Sequence, residues 1–101
     1  MFGLDARTLG GIREVFEKHP EIEKVKVFGS RALGTHRPNS DVDVALWGQS
    51  LDGAIVDRVR SDLDAISTPY RFDVVGYSLT EHPALREHID RCGKVIYQAK
   101  K

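Results

Sequence analysis

The chain has 101 residues and its 15 lysines and arginines balance 15 aspartates and glutamates, so it suits a single domain, residues 1–101, with no formal net charge. That balance excludes a grip on nucleic acid through a bulk basic surface, and direct nucleic-acid binding is not expected. The opening MFGLDARTLGG has neither a basic n-region nor a long apolar run, no later stretch approaches the roughly 20 apolar residues of a membrane span, and the one cysteine permits no internal disulfide, so a soluble cytoplasmic protein with no membrane partner is expected.

Leu9, Ile12, Val15 and Phe16 recur at helical spacing, which predicts a first amphipathic helix over 5–18 that Pro20 stops. Residues 23–28 alternate as a half-buried strand that delivers the chain to Gly29-Ser30. Residues 30–34 can form a short helical turn, where freed backbone N–H groups and the Ser30 hydroxyl suit an anion. Thr35 to Asn39 has loop chemistry, and Ser40 could fix the approach to Asp41. The second strand, 41–46, ends at Trp47-Gly48, with Trp47 read as a packing residue against the alternative of a platform for a nucleobase.

Leu51, Ile55, Val59, Leu63 and Ile66 form a row that predicts a helix over 52–66, its acids a solvated face. After Thr68-Pro69 a third strand, 70–77, places Tyr70, Phe72 and Val74 on one face and Arg71, Asp73 and Val75 on the other. Pro83 suits the first turn of a last helix, in which Leu85 and Ile89 lie four apart, and Gly93 closes it before a short strand at 95–97. Cys92 is read as a small, partly buried apolar residue. His19, His36, His82 and His88 show no zinc-ligand spacing and are read as surface residues, with His36 the one to watch.

The stretch FGSRALGTHRPNSDVDV, Phe28 to Val44, carries the chemistry. Residues two apart in a strand share a face, so Asp41 and Asp43 project side by side while Val42 and Val44 point away. Adjacent carboxylates repel unless a positive charge intervenes, and a hard divalent cation such as Mg²⁺ fits that need. A lone aspartate, Asp73, in the apolar, aromatic third strand is expensive to bury without a partner, and Arg71 is one candidate for an ion pair.

Gly29-Ser30, Ala32, Gly34 and Ser40-Asp41-Val42-Asp43-Val44 together resemble the signature of the DNA polymerase β-like nucleotidyltransferase superfamily, and the length resembles its minimal branch. The resemblance covers nearly the whole chain. It implies an α/β (α+β) fold with a mixed β-sheet covered by helices and the site on one open side. It also implies that Gly29 and Ser30 hold a nucleoside triphosphate, with Arg31 either helping or paired on the surface. Asp41, Asp43 and Asp73 would be the catalytic carboxylates and hold two Mg²⁺ ions, with Asp73 able to take the acceptor's proton.

The implied activity is transfer of a nucleoside monophosphate, AMP from ATP by preference, to a hydroxyl. Minimal members work with a separate helical HEPN protein, a toxin ribonuclease, and AMPylate a tyrosine on it. A HEPN partner is therefore expected, and this chain would be the antitoxin. The alternatives are a non-catalytic nucleotide-binding module that covers its partner sterically and a stand-alone transferase acting on a small molecule such as an aminoglycoside.

Overall fold

A computed structural model describes residues 3–34, 41–66, 68 and 70–99. The expected loop at 35–39, with His36 in it, Ser40, Pro69 and the two terminal lysines lie outside the described residues. The elements are α1 (Ala6–Glu17), β1 (Lys24–Phe28), α2 (Ser30–Leu33), β2 (Val42–Trp47), α3 (Gly53–Asp64), β3 (Phe72–Gly76), a 3₁₀ turn (Tyr77–Leu79), α4 (Pro83–Cys92) and β4 (Lys94–Gln98).

Both long N-terminal helices begin where an aspartate can satisfy a freed N–H. Asp5 accepts from the Thr8 N–H at 2.7 Å, and Asp52 accepts from the Ile55 N–H at 2.9 Å. α1 buries Leu9, Ile12, Val15 and Phe16, the four residues its periodicity marks. α3 is turned slightly from the expected row. Val56, Val59 and Leu63 are its buried residues, and Ile55 and Ile66 are only partly covered at the margin of the core.

The sheet has four strands in the order β3-β2-β1-β4. β1 runs antiparallel to both β2 and β4, and β2 and β3 are parallel, joined by the crossover through α3. The sheet is therefore mixed, as the resemblance implies. Strand alternation sorts its two faces cleanly. Val25, Val27, Val42, Val44, Leu46, Phe72, Val74 and Ile96 join the residues of α1 and α3 in the main core. The opposite face holds a smaller cluster of Phe28 and Ala45 beneath Ile89 of α4, flanked by Trp47, Val75, Tyr77 and Leu85.

On the site-bearing face α4 covers Phe28 and Ala45, while Asp41 and Asp73 stay exposed. The close packing explains Gly93, which does not end α4 in a left-handed cap but in extended backbone, φ −66° and ψ 142°. A side chain there would run into the Ile89 carbonyl of α4's own last turn and also lie 3.1 Å from the Lys26 stem of β1, so the residue is small chiefly because of that carbonyl. Asp62 departs from the expected solvated face of α3, since the His19 Nε2 meets its Oδ2 at 2.7 Å and ties the end of α1 to α3. His19 is thus a tether with a side chain only 14% exposed, and the surface reading of it is replaced. No helix among the described residues is long and apolar enough to cross a membrane.

Candidate active site

β1 ends at Phe28, and the chain turns through Gly29 at φ 75°, ψ −154° into the single turn of α2. Only glycine visits that region without strain. A second constraint acts at the same atom: a Cβ on Gly29 would overlap the Asp43 Oδ2. The backbone of the turn therefore lies directly against the Asp43 carboxylate.

Strand register builds the rest. Phe28 pairs with Asp43 across the antiparallel β1–β2 ladder, and Asp43 pairs with Asp73 across the parallel β2–β3 ladder. Side chains opposite one another on neighbouring strands share a face, with strands about 4.8 Å apart. Asp73, Asp43 and the Phe28-Gly29 corner thus form one row across three strands. Asp41 stands two residues before Asp43 and is exposed, as is Asp73, whereas Asp43 is partly buried. Asp73 therefore bears little of the burial cost that its apolar strand suggests. It also makes no ion pair with Arg71 among the described residues, so that alternative partner is not the one observed.

The cost falls on Asp43. Its carboxyl is pushed up from 3.8 to about 6, first by burial and then by the charges of Asp73 and Asp41, against opposing pulls from His88 and Arg31. Arg31 is 2% exposed, with its guanidinium 4.8 Å over the Tyr70 ring. The surface alternative for Arg31 is thereby replaced by a buried cation whose field reaches Asp43.

His88 is the residue that sequence reasoning missed. Its Nε2 accepts the Gly29 N–H at 3.2 Å, and its ring meets Phe28 edge-on at 6.1 Å between centroids. The signal was available: position 88 lies three residues after Leu85 and one before Ile89, on the flank of the buried stripe.

Among the described residues, no three or more His, Cys, Asp or Glu side chains form a group able to hold a metal ion by themselves. The donor chemistry still fits Mg²⁺, which takes one or two carboxylates and completes its shell with water and phosphate oxygens. The Asp43 carboxyl is raised first by burial and then by the neighbouring acids, and the repulsion from those acids is what a cation would relieve.

A mixed sheet with acids at one end of a helix-roofed face, beside a glycine-serine turn, defines a nucleotidyltransferase-type domain. The profile of the family described as "Polymerase beta, Nucleotidyltransferase" matches residues 11–101, and the chain belongs to that family. Solved structures with the same fold include a chain from a toxin–antitoxin complex with AMP-PNP, at 21% identity and a TM-score of 0.75, covering 91% of this chain and 74% of that one. A chain of the toxin–antitoxin complex MntA-HepT matches at 18% identity and a TM-score of 0.71, over 94% of this chain and 74% of that one. A third comes from a complex of tri-AMPylated Shewanella oneidensis HEPN toxin with MNT antitoxin, at 17% identity and a TM-score of 0.69, over 92% and 71% of the two chains. A search of curated proteins finds no match.

Proposed function

We propose that residues 1–101 form a minimal, cytoplasmic, Mg²⁺-dependent nucleotidyltransferase that moves AMP from ATP to a tyrosine hydroxyl of a HEPN toxin and so acts as its antitoxin. The observation that carries the reading is the register of Asp43 with Asp73 beside Gly29, which brings together acids 30 residues apart in the chain. Membership of the nucleotidyltransferase family supports the reaction class. The shared fold with chains from toxin–antitoxin complexes, one with AMP-PNP and one of a tri-AMPylated HEPN toxin with MNT antitoxin, supports the donor and the partner.

In this reading Asp41, Asp43 and Asp73 hold two Mg²⁺ ions, which when bound neutralise the triphosphate and acidify the acceptor hydroxyl. Gly29 and Ser30 receive the phosphates, the glycine because a side chain would close the space against Asp43. Arg31 acts from beneath, balancing acidic charge without occupying the open side. Asp73, exposed on that side, accepts the proton as the acceptor oxygen bonds to the α-phosphorus and pyrophosphate leaves. Positioning and charge neutralisation supply most of the acceleration in such a transfer.

The test is incubation of the protein with α-labelled ATP, Mg²⁺ and its HEPN partner. Label on the partner with the wild-type chain and none with Asp43→Ala is the expected result. If Asp43→Ala still suppresses the partner fully, neutralisation is steric and the transferase reading of the antitoxin fails.

A further inference from the structure

We propose that His88 is a positioning residue for nucleotide binding: from α4 it fixes the backbone of the Gly29-Ser30 turn, so that the roof helix and the phosphate-receiving turn form one preorganised unit. The inference rests on the nucleotide reading of that turn and adds to it a residue from a distant element.

Three observations carry it. The Gly29 N–H donates to the His88 Nε2 at 3.2 Å across 59 residues of sequence, a link between α4 and the turn that no ladder or helix bond supplies. The ring is oriented by a second contact, edge-on against Phe28, the residue before Gly29. α4 itself is held firmly, with Ile89 fully buried and Gly93 allowing close approach to β1. A histidine on a rigid helix thus reaches the one residue whose φ of 75° the ladder does not impose. A Gly-only conformation has many competitors in a free turn, and a fixed acceptor for its N–H selects among them.

The bond also specifies the ring. An Nε2 that accepts must leave the proton of the neutral imidazole on Nδ1. It further assigns the Gly29 N–H to His88, so in this reading Gly29 serves the phosphates by having no side chain, and the N–H donors come from Ser30 onward.

The tests use the full chain at pH 8. Long-range ¹H–¹⁵N spectra are expected to show His88 as the Nδ1–H tautomer. In His88→Leu the Gly29 amide resonance should move, and Mg²⁺-AMP-PNP should bind at least fivefold more weakly, while circular dichroism and Tm stay close to wild type. His88→Gln, whose amide oxygen can accept the same N–H, should recover most of that affinity. An Nε2–H tautomer in the wild type, or unchanged AMP-PNP affinity in His88→Leu, overturns the proposal. If the wild type binds no AMP-PNP, the nucleotide reading falls and this role for His88 falls with it; the tautomer and the Gly29 shift then show separately whether the His88–Gly29 bond exists.

Discussion

Asp43 and Asp73 are direct partners in the parallel ladder between β2 and β3, and the Asp73 charge helps to raise the Asp43 carboxyl. The exposed partner is the one that can be altered without touching the core. Asp73→Asn should lower the Asp43 carboxyl from about 6, though not to its ordinary value, because burial is the larger cause and remains. A ¹³C carboxyl titration by NMR reads the midpoint directly. An unchanged midpoint would mean that the two groups do not interact.

The same raised carboxyl makes a prediction about stability. A carboxyl whose folded value, about 6, exceeds its ordinary 3.8 contributes stability that is fully present below about pH 4 and is lost as pH rises through 6. Asp43→Asn removes the penalty. The variant should match the wild type near pH 3.5 and exceed it at pH 7.5 by on the order of 1 kcal/mol, once solvent screening of a part-exposed group is allowed for. In thermal melts that is a rise of about 4 °C. Mg²⁺ should raise the wild-type Tm at pH 7.5 more than at pH 5, and EDTA should reverse it.

Much of this site is legible in the sequence because it is written in local periods. Alternation in β2 and β3 places Asp41 and Asp43 away from Val42 and Val44, and Asp73 away from Phe72 and Val74, and the structure puts Asp43 and Asp73 in register on that face. What the chain does not display is its long-range packing. Arg31 reads either as a phosphate helper or as a surface residue because its one-turn helix has no periodicity to show which side is buried, and burial depends on Tyr70, 39 residues away. His88 reads as a surface residue because its partner is a backbone N–H, which has no signature in sequence. The shift of the α3 stripe from Ile55 to Val56 follows from how the helix rolls on the sheet. Hydrophobic spacing sets that angle only to within a residue.

Gly29→Ala should be severe. Its φ of 75° with extended ψ costs a side chain on the order of 1–3 kcal/mol, and the new Cβ must displace the Asp43 carboxylate as well. Gly34 provides the control, since its φ is 76° but a Cβ there meets nothing within 4 Å. Urea denaturation should therefore show Gly34→Ala losing about 1 kcal/mol and Gly29→Ala clearly more. Only Gly29→Ala should also abolish AMP-PNP binding. Equal losses in both would place the whole effect in the backbone and remove the contact with Asp43 from the account.

Trp47 tests where the nucleotide lies. It shares the site's face but stands four residues along β2 from Asp43, about 13 Å in an extended strand. It is stacked on Tyr77 at 4.5 Å and 19°, with Lys24 Nζ and Lys26 Nζ 4.7 and 5.4 Å from its ring centre. Its face is thus already occupied by this chain's own groups. The stack is worth about 0.5–1.5 kcal/mol and each cation about 0.5–1 kcal/mol beyond the buried area. Trp47→Ala should destabilise the fold by about 2–3 kcal/mol, a value below that of a fully buried tryptophan. AMP-PNP affinity, measured by calorimetry well below the variant's Tm, should stay within about twofold of wild type. A tenfold loss in a folded variant would instead make the Trp47–Tyr77 stack a base platform, and the nucleotide would have to lie along β2 rather than across the Asp43–Asp73 row.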